Sequence, residues 1–408
     1  MMTWDAVLAT RAKRMSASEI RELLKLLDQP DIISFAGGIP DPALFPADAF
    51  RAAYADALSG DGAAAGLQYS VSEGSVRLRR WLVGEMAKLG VSCGPENILI
   101  TSGSQQALDF LGKLFLSANE TALVGWPTYL GALQAFNAYE PNYDRLDPMT
   151  NRSAEDYRKT AEERGGKVKF AYLSPDFANP TGETLDEAGR RRLLGLADKL
   201  DCAVIEDGAY QSLRYDGTPV PAVLALDCAR SGGIENTRTL YCGSFSKTLS
   251  PGLRLGWVCA AKDVISRLVL LKQAGDLHSS SLNQEAMARV AETVFDAQVD
   301  KVRAAYRERR DAMLAALEIH MPEGTRWTRP EGGMFVWVEL PEGTDAADLL
   351  KQAVETAKIA FVPGKAFFAD GSGGNTLRLS FSSTTPEKIT EGISRLGALI
   401  SKTVTPAL

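Results

Sequence analysis

Apolar residues recur at three- and four-residue spacing over positions 72–90, 103–118, 129–139, 185–200 and 261–274, which predicts amphipathic helices there. Between them lie short apolar or β-branched runs, NILITS, TALVGW, VKFAYLSP, CAVIED, RTLYCGS and LGWVCAA, which read as strands. Alternation of this kind predicts an α/β fold, a mainly parallel sheet covered by helices on both faces. A long helical stretch, about 281–318, leads to a second pattern: the strands GGMFVWVEL, IAFVPG and TLRLSFS and the helices AADLLKQAVETAK and PEKITEGISRLGALISK, the signature of a smaller α+β unit. Near the N-terminus Ser16 and Glu19 are spaced as a capping box ahead of Ile20, Leu23, Leu24 and Leu27, with Pro30 as the stop. The expected organisation is an N-terminal arm, 1–45, packing with the small unit; a large α/β domain, 46–290; and a small C-terminal α+β domain, 291–408.

Composition narrows the class of function. A net charge of −6 gives no basic footprint for nucleic acid, so no nucleic-acid partner is expected. No run approaches the ~20 apolar residues of a membrane span, and the charged N-terminus lacks the apolar core of a secretion signal; a cytoplasmic protein with no membrane partner is expected. Five cysteines without a C-x-x-C pair argue against a disulfide framework or zinc site. With only two histidines no metal site is expected, and acid–base chemistry falls to another residue type.

The candidate chemistry sits where strands end, the usual ligand edge of an open α/β sheet. Asp207 follows CAVIE, Asn179 lies in the turn NPTG after VKFAYLSP, Ser244, Ser246 and Lys247 follow RTLYCG, and Gly103-Ser104 opens a helix after NILITS. Ser104 and Gln105 would present backbone N–H groups at a helix N-terminus, a ready anion site. Ser244 and Ser246 add hydroxyls, and Arg254 adds a fork suited to phosphate oxygens. Lys247 beside that cradle, its pKa depressed by burial and neighbouring cations, suits covalent capture of a carbonyl. The combination points to a phosphorylated carbonyl cofactor, pyridoxal 5'-phosphate. Asp207 would hold the ring nitrogen protonated, Asn179 and Tyr210 would donate to the phenolic oxygen, and Tyr129 would stack on the ring. Other readings remain open: Asp207 as a helix N-cap, Arg21 as a solvated residue beside Lys25 and Asp28, Tyr69 and Tyr129 as half-buried aromatics.

The ordered set N-P-T-G, D-x-x-Y and S-x-S-K with an arginine seven residues on resembles fold-type I pyridoxal-phosphate aminotransferases of class I/II, from about residue 15 to 400. SASEIRELLKL, SFAGGIPDPALFP, GSQQALD and NTLRLSFS look closer still to the 2-aminoadipate/kynurenine aminotransferase group. The resemblance implies a large and a small domain of that fold and transfer of an amino group from an amino acid to a 2-oxo acid by a ping-pong cycle. It implies that Lys247 is the Schiff-base lysine and proton shuttle, with Asp207 and Tyr210 as its catalytic company. Arg378 would clamp the substrate α-carboxylate. Arg21 would hold a distal carboxylate, with Gly38 and Ile39 lining that pocket. Tyr69 would reach the phosphate region of a neighbouring subunit, giving a homodimer with shared active sites. SPDFA before N-P-T-G, with Asp176 and Ala178, and Gly208 after the key aspartate depart from the pattern. Alternatives on the same fold are a lyase or decarboxylase, or a non-catalytic cofactor-binding sensor.

Overall fold

The computed structural model of the chain describes residues 4–14, 31–60, 62–146 and 152–403. Arg21 and the helix expected around it lie outside the described residues.

Two sheets carry the architecture. In chain order the strands are β1 (Ile33–Ser34), β2 (Ile98–Thr101), β3 (Thr121–Val124), β4 (Asn142–Arg145), β5 (Val168–Leu173), β6 (Ala203–Asp207), β7 (Thr239–Ser244), β8 (Gly256–Cys259), β9 (Arg326–Trp327), β10 (Phe335–Glu339), β11 (Ile359–Ala360), β12 (Val362–Pro363) and β13 (Thr376–Ser380). The larger sheet has seven strands in the order β2-β8-β7-β6-β5-β3-β4. Its pairs from β7 to β4 are parallel, while β8 runs against both neighbours. Strands β2, β3, β7 and β8 are buried throughout, as continuous apolar runs require when helices cover both faces.

The expected helices form as Val76–Lys88, Ser104–Phe115, Leu130–Asn137, Glu187–Leu200 and Lys262–Gly275. Others accompany them: Ala47–Ala57 and Gly62–Leu67 come before the first, and Ala154–Glu163 and Val223–Ser231 stand between later ones. The helix Ala154–Glu163 opens on a capping box, Ser153 with Asp156.

The smaller sheet, β12-β13-β10-β9, is antiparallel, and β1 pairs in parallel with β11 beside it. The segment Phe35–Ile39 is held there: Ser380 N–H donates to the Phe35 carbonyl, and the Ser382 hydroxyl donates to the Ile39 carbonyl at 2.7 Å. One helix, Ser281–His320, serves both sheets. Its Ala286, Met287 and Val290 pack with Leu82, Ile100 and Trp257, while its Tyr306, Met313 and Leu317 pack with Phe335, Leu379 and Ile393. The helix is continuous through position 290, the division expected between the two units.

Candidate active site

Strands β2, β3, β5, β6 and β7 point the same way, so their carboxyl ends share one edge of the sheet. A cavity of about 550 Å³ opens there, lined by Ile39, Ser104, Gln105, Tyr129, Asn179, Asp207, Tyr210, Ser244, Ser246, Lys247 and Arg254, together with Leu130, Gln134, Ser174 and Ala209. The polar residues arrive on several different elements. Asp207 and Ser244 close β6 and β7, Asn179 follows β5 through the cis Asn179–Pro180 peptide, and Ser104 is the first residue of its helix.

Lys247 Nζ donates to the Gly38 carbonyl at 3.1 Å and lies 5.8 Å from the Tyr210 ring centroid. Burial pushes its pKa down to about 8; the Arg378 and Arg254 charges push the same way and Asp207 opposes them. Asp207 accepts from the Tyr172 hydroxyl at 2.8 Å and from the Ala209 N–H at 3.2 Å. Burial raises its pKa, and those two hydrogen bonds and Lys247 pull it back. Its neighbour Glu206 points elsewhere, accepting from the N–H groups of Val223 and Leu224 at 2.8 Å each and so capping the helix Val223–Ser231. The two adjacent acids thus divide: alternation along β6 sends one to the cavity and one to a helix end.

Arg378, in β13, reaches in from the smaller sheet and is 2% exposed. Its Nη1 donates to Asn179 Oδ1 at 2.7 Å and its Nη2 to the Ala36 carbonyl at 2.9 Å, while Nε is buried with no partner. The guanidinium lies 4.2 Å from the Phe335 ring centroid and 5.1 Å from that of Phe367. Burial lowers its pKa to about 10, which leaves it charged at neutral pH. Gly38 sits against Phe335, where a built Cβ would come within 2.9 Å of the ring.

The phosphate-type end of the cavity is shaped by glycine. Gly103 is the N-cap of the helix Ser104–Phe115 at φ 83°, and no side chain caps that helix. A Cβ on Gly103 would collide with the Arg254 guanidinium, which packs on this turn. Ser246 N–H donates to Ser244 Oγ at 3.1 Å. The Gln105 side chain is committed to the Gly131 carbonyl at 2.7 Å, so only its backbone is offered to an anion.

Residues 41–396 match the model of the family described as Aminotransferase class I and II. The chain belongs to the class I and II aminotransferases. It is 43% identical to a 2-aminoadipate transaminase of Thermus thermophilus, over 97% of each chain. It is 41% identical to an aromatic-amino-acid aminotransferase of Thermococcus litoralis, over 98% of this chain and 95% of that one. The solved alpha-aminoadipate aminotransferase LysN of Thermus thermophilus, complexed with N-(5'-phosphopyridoxyl)-L-leucine, superposes with a TM-score of 0.87 at 39% identity, covering 98% of this chain and 99% of that one. The chain is a pyridoxal-phosphate-dependent transaminase of fold type I.

The aminotransferase cavity fits that cofactor. An uncapped helix N-terminus, a glycine turn kept open for Arg254, and a lysine and a carboxylate at the ends of two neighbouring parallel strands are the donor set a phosphorylated pyridine aldehyde needs. Three sequence expectations stand apart from the cavity lining: Gly38, Tyr69 and Arg378. Tyr69 is 78% exposed and lies edge-on to His278 at 6.0 Å. Arg378 is behind Asn179 rather than on the cavity wall. Asp176, a departure from the family pattern, is tied to Arg190 in a buried ion pair of 2.8 Å. At Gly208 a Cβ would strike the Tyr241 ring, so packing explains that glycine.

Sequence reasoning missed Tyr172, Ser174, Gln134 and Ala209. Ser174 follows β5 directly and donates to the Asp207 carbonyl at 3.0 Å; its strand-end position is the signal that could have found it. Tyr172 lies inside an apolar strand and meets Asp207 only because β5 and β6 are neighbours, a pairing with no local signal.

Proposed function

We propose that this aminotransferase moves the amino group of 2-aminoadipate, glutamate, or aromatic or branched apolar amino acids to a 2-oxo acid such as 2-oxoglutarate. The carrying observation is the set of Lys247, Asp207, Asn179, Tyr210 and the Ser104–Arg254 cradle around one cavity, with the buried Arg378 guanidinium behind it. The names of the relatives support the aromatic and 2-aminoadipate donors, and the leucine adduct bound to the solved relative supports a branched apolar one.

Ser104 and Gln105 N–H groups, Ser244, Ser246 and Arg254 would hold the cofactor phosphate, Asp207 its ring nitrogen, Asn179 and Tyr210 its phenolic oxygen, and Tyr129 one face. When bound, pyridoxal phosphate supplies an electron sink for the pair released at the substrate Cα. Arg378 binds the α-carboxylate as a planar fork and orients the Cα–H bond toward Lys247. Lys247 Nζ, neutral above about pH 8, takes the Cα proton and returns it during the cycle. The two donors to Asp207 favour its ionised form, which would hold the positive charge of the ring nitrogen. A clamped carboxylate is held rather than expelled, which favours transamination over decarboxylation. Product leaves before the second substrate binds, which gives ping-pong kinetics. Gly38 and Ile39 would line the substrate side, and Arg21 would meet a distal carboxylate. Tyr69, exposed beside Leu67 and Val71, supports a homodimer with shared sites, and the charged N-terminus supports a cytoplasmic location.

The test is an absorbance titration of the purified protein. Bleaching of the visible cofactor band by an amino donor and its return with 2-oxoglutarate is expected, and 2-aminoadipate, kynurenine and leucine are ranked by the same curve. A band that no amino acid alters would overturn the reading.

A further inference from the structure

Behind the Gly103 turn lies a lysine that the reaction does not use. Lys272, on the helix Lys262–Gly275, has a side chain with no solvent exposure. Its Nζ donates to Gln106 Oε1 at 2.8 Å, Asp276 Oδ1 at 2.9 Å and Ser279 Oγ at 3.0 Å. Gln106 is held at both ends: its Oε1 also accepts from the Ser102 N–H at 2.8 Å, and its Nε2 donates to Asp276 Oδ2 at 2.7 Å. The Ser102 hydroxyl donates to the same Asp276 oxygen at 2.8 Å. A solvated lysine–aspartate pair four residues apart on a helix contributes little, and a buried pair is weak evidence for stability. What this cluster does uniquely is to tie Ser102, the residue before Gly103, to a second helix.

The turn needs such a tie. Gly103 at positive φ has no side chain to hold it, and its helix has no side-chain cap. Inside the turn, the Thr101 hydroxyl fixes the Gly103 carbonyl at 3.0 Å. The direction of the Ser104 and Gln105 N–H groups therefore depends on how Ser102 is held, its N–H by Gln106 and its hydroxyl by Asp276.

We propose that Lys272 is a positioning residue for the cofactor phosphate, acting through Gln106 to aim the N–H groups of the Ser102–Gly103–Ser104 turn. Its substitution loosens the grip on phosphate while leaving the carbonyl-binding lysine untouched. The inference rests on reading this turn as part of the phosphate cradle.

The test compares the apoprotein of the wild type and Lys272→Met in equilibrium binding of pyridoxal 5'-phosphate and of unphosphorylated pyridoxal. Loss of the Lys272 hydrogen bonds to Gln106, Asp276 and Ser279 predicts about a tenfold or greater weakening for pyridoxal phosphate, with pyridoxal affinity within about twofold of wild type. Equal affinities of the variant and wild type for pyridoxal phosphate would overturn the inference, as would parallel losses for both ligands, which indicate a general structural role. If the wild type itself binds pyridoxal as tightly as pyridoxal phosphate, the cradle reading fails instead. Should Lys272→Met not fold, Gln106→Met, which leaves the Lys272–Asp276 pair in place, is read on the same two ligands with the same expected split.

Discussion

Asn179 accepts a hydrogen bond from Arg378 at 2.7 Å, and its amide nitrogen lies 3.4 Å from the Tyr210 hydroxyl. One side chain thus joins the residue that would meet the substrate carboxylate to the residue that would meet the cofactor's phenolic oxygen. Arg378 and Tyr210 come from different sheets, and the amide between them fixes their separation.

Replacing Arg378 with leucine removes a buried guanidinium whose hydrogen bonds to a charged partner are worth about 1.5–3 kcal/mol each. Two such bonds predict a fall in kcat/KM for amino acids of about 10²–10⁴-fold. An amine substrate lacking the carboxylate would be affected little. Steady-state kinetics on both substrate types check this; equal losses would exclude the clamp.

Tyr172→Phe deletes a donor to the Asp207 carboxylate. That hydrogen bond favours the ionised form, so its loss raises a pKa that burial already holds up. Asp207 would then protonate at higher pH, and the acid limb of the kcat/KM profile would move upward. An unmoved acid limb would show that Asp207 is not the group titrating there.

For Lys247→Ala, turnover falls by at least about 10²–10⁴-fold, the usual contribution of a positioned acid–base group. In the wild-type apoprotein the rate of pyridoxal phosphate capture should rise with pH and level off above about 8, where Lys247 is neutral. Continued increase toward pH 10.5 would mean an unperturbed lysine. Arg254→Ala keeps the lysine and weakens cofactor retention, seen as faster loss of the cofactor on dialysis.

Glu206 tests the structural half of the adjacent acid pair. Burial raises its pKa to about 7 from an ordinary 4.5. Between those values the folded chain keeps a proton that the unfolded chain has released, so this group lowers stability as pH rises from 4.5 to 7 and adds no slope above it. Glu206→Gln removes that slope, which is at most about 1.4 kcal/mol per pH unit. Urea unfolding of both proteins at pH 5, 6, 7 and 8 measures the difference.

Much of this arrangement was legible in the chain because turn chemistry and strand ends are local. The apolar runs ending in Asp207 and Ser244 announce both a strand and the residue it delivers. Gly103-Ser104 likewise marks the start of a helix. The reversed direction of β8 was not legible, since LGWVCAA reads like its parallel neighbours and direction is set by the short return from β7. Ala154–Glu163 escaped because its sequence is almost wholly polar, although Ser153 and Asp156 give its capping box. The Lys272 cluster escaped for a different reason: its members are spread from Ser102 to Ser279 and meet only when the helix after β8 packs beside the helix after β2.

The helix Ser281–His320 has forty residues, about 60 Å of unbroken rod. One end is embedded beside the seven-stranded sheet and the other beside the four-stranded sheet. A chain cut at position 290 would part Ala291 from the apolar cluster of the seven-stranded sheet, and Phe177, Tyr210 and Leu213 from that of the four-stranded sheet. The two halves are therefore not interchangeable modules that could be expressed or recombined at that point, and any motion of one sheet against the other must be carried by flexure of a shared axle.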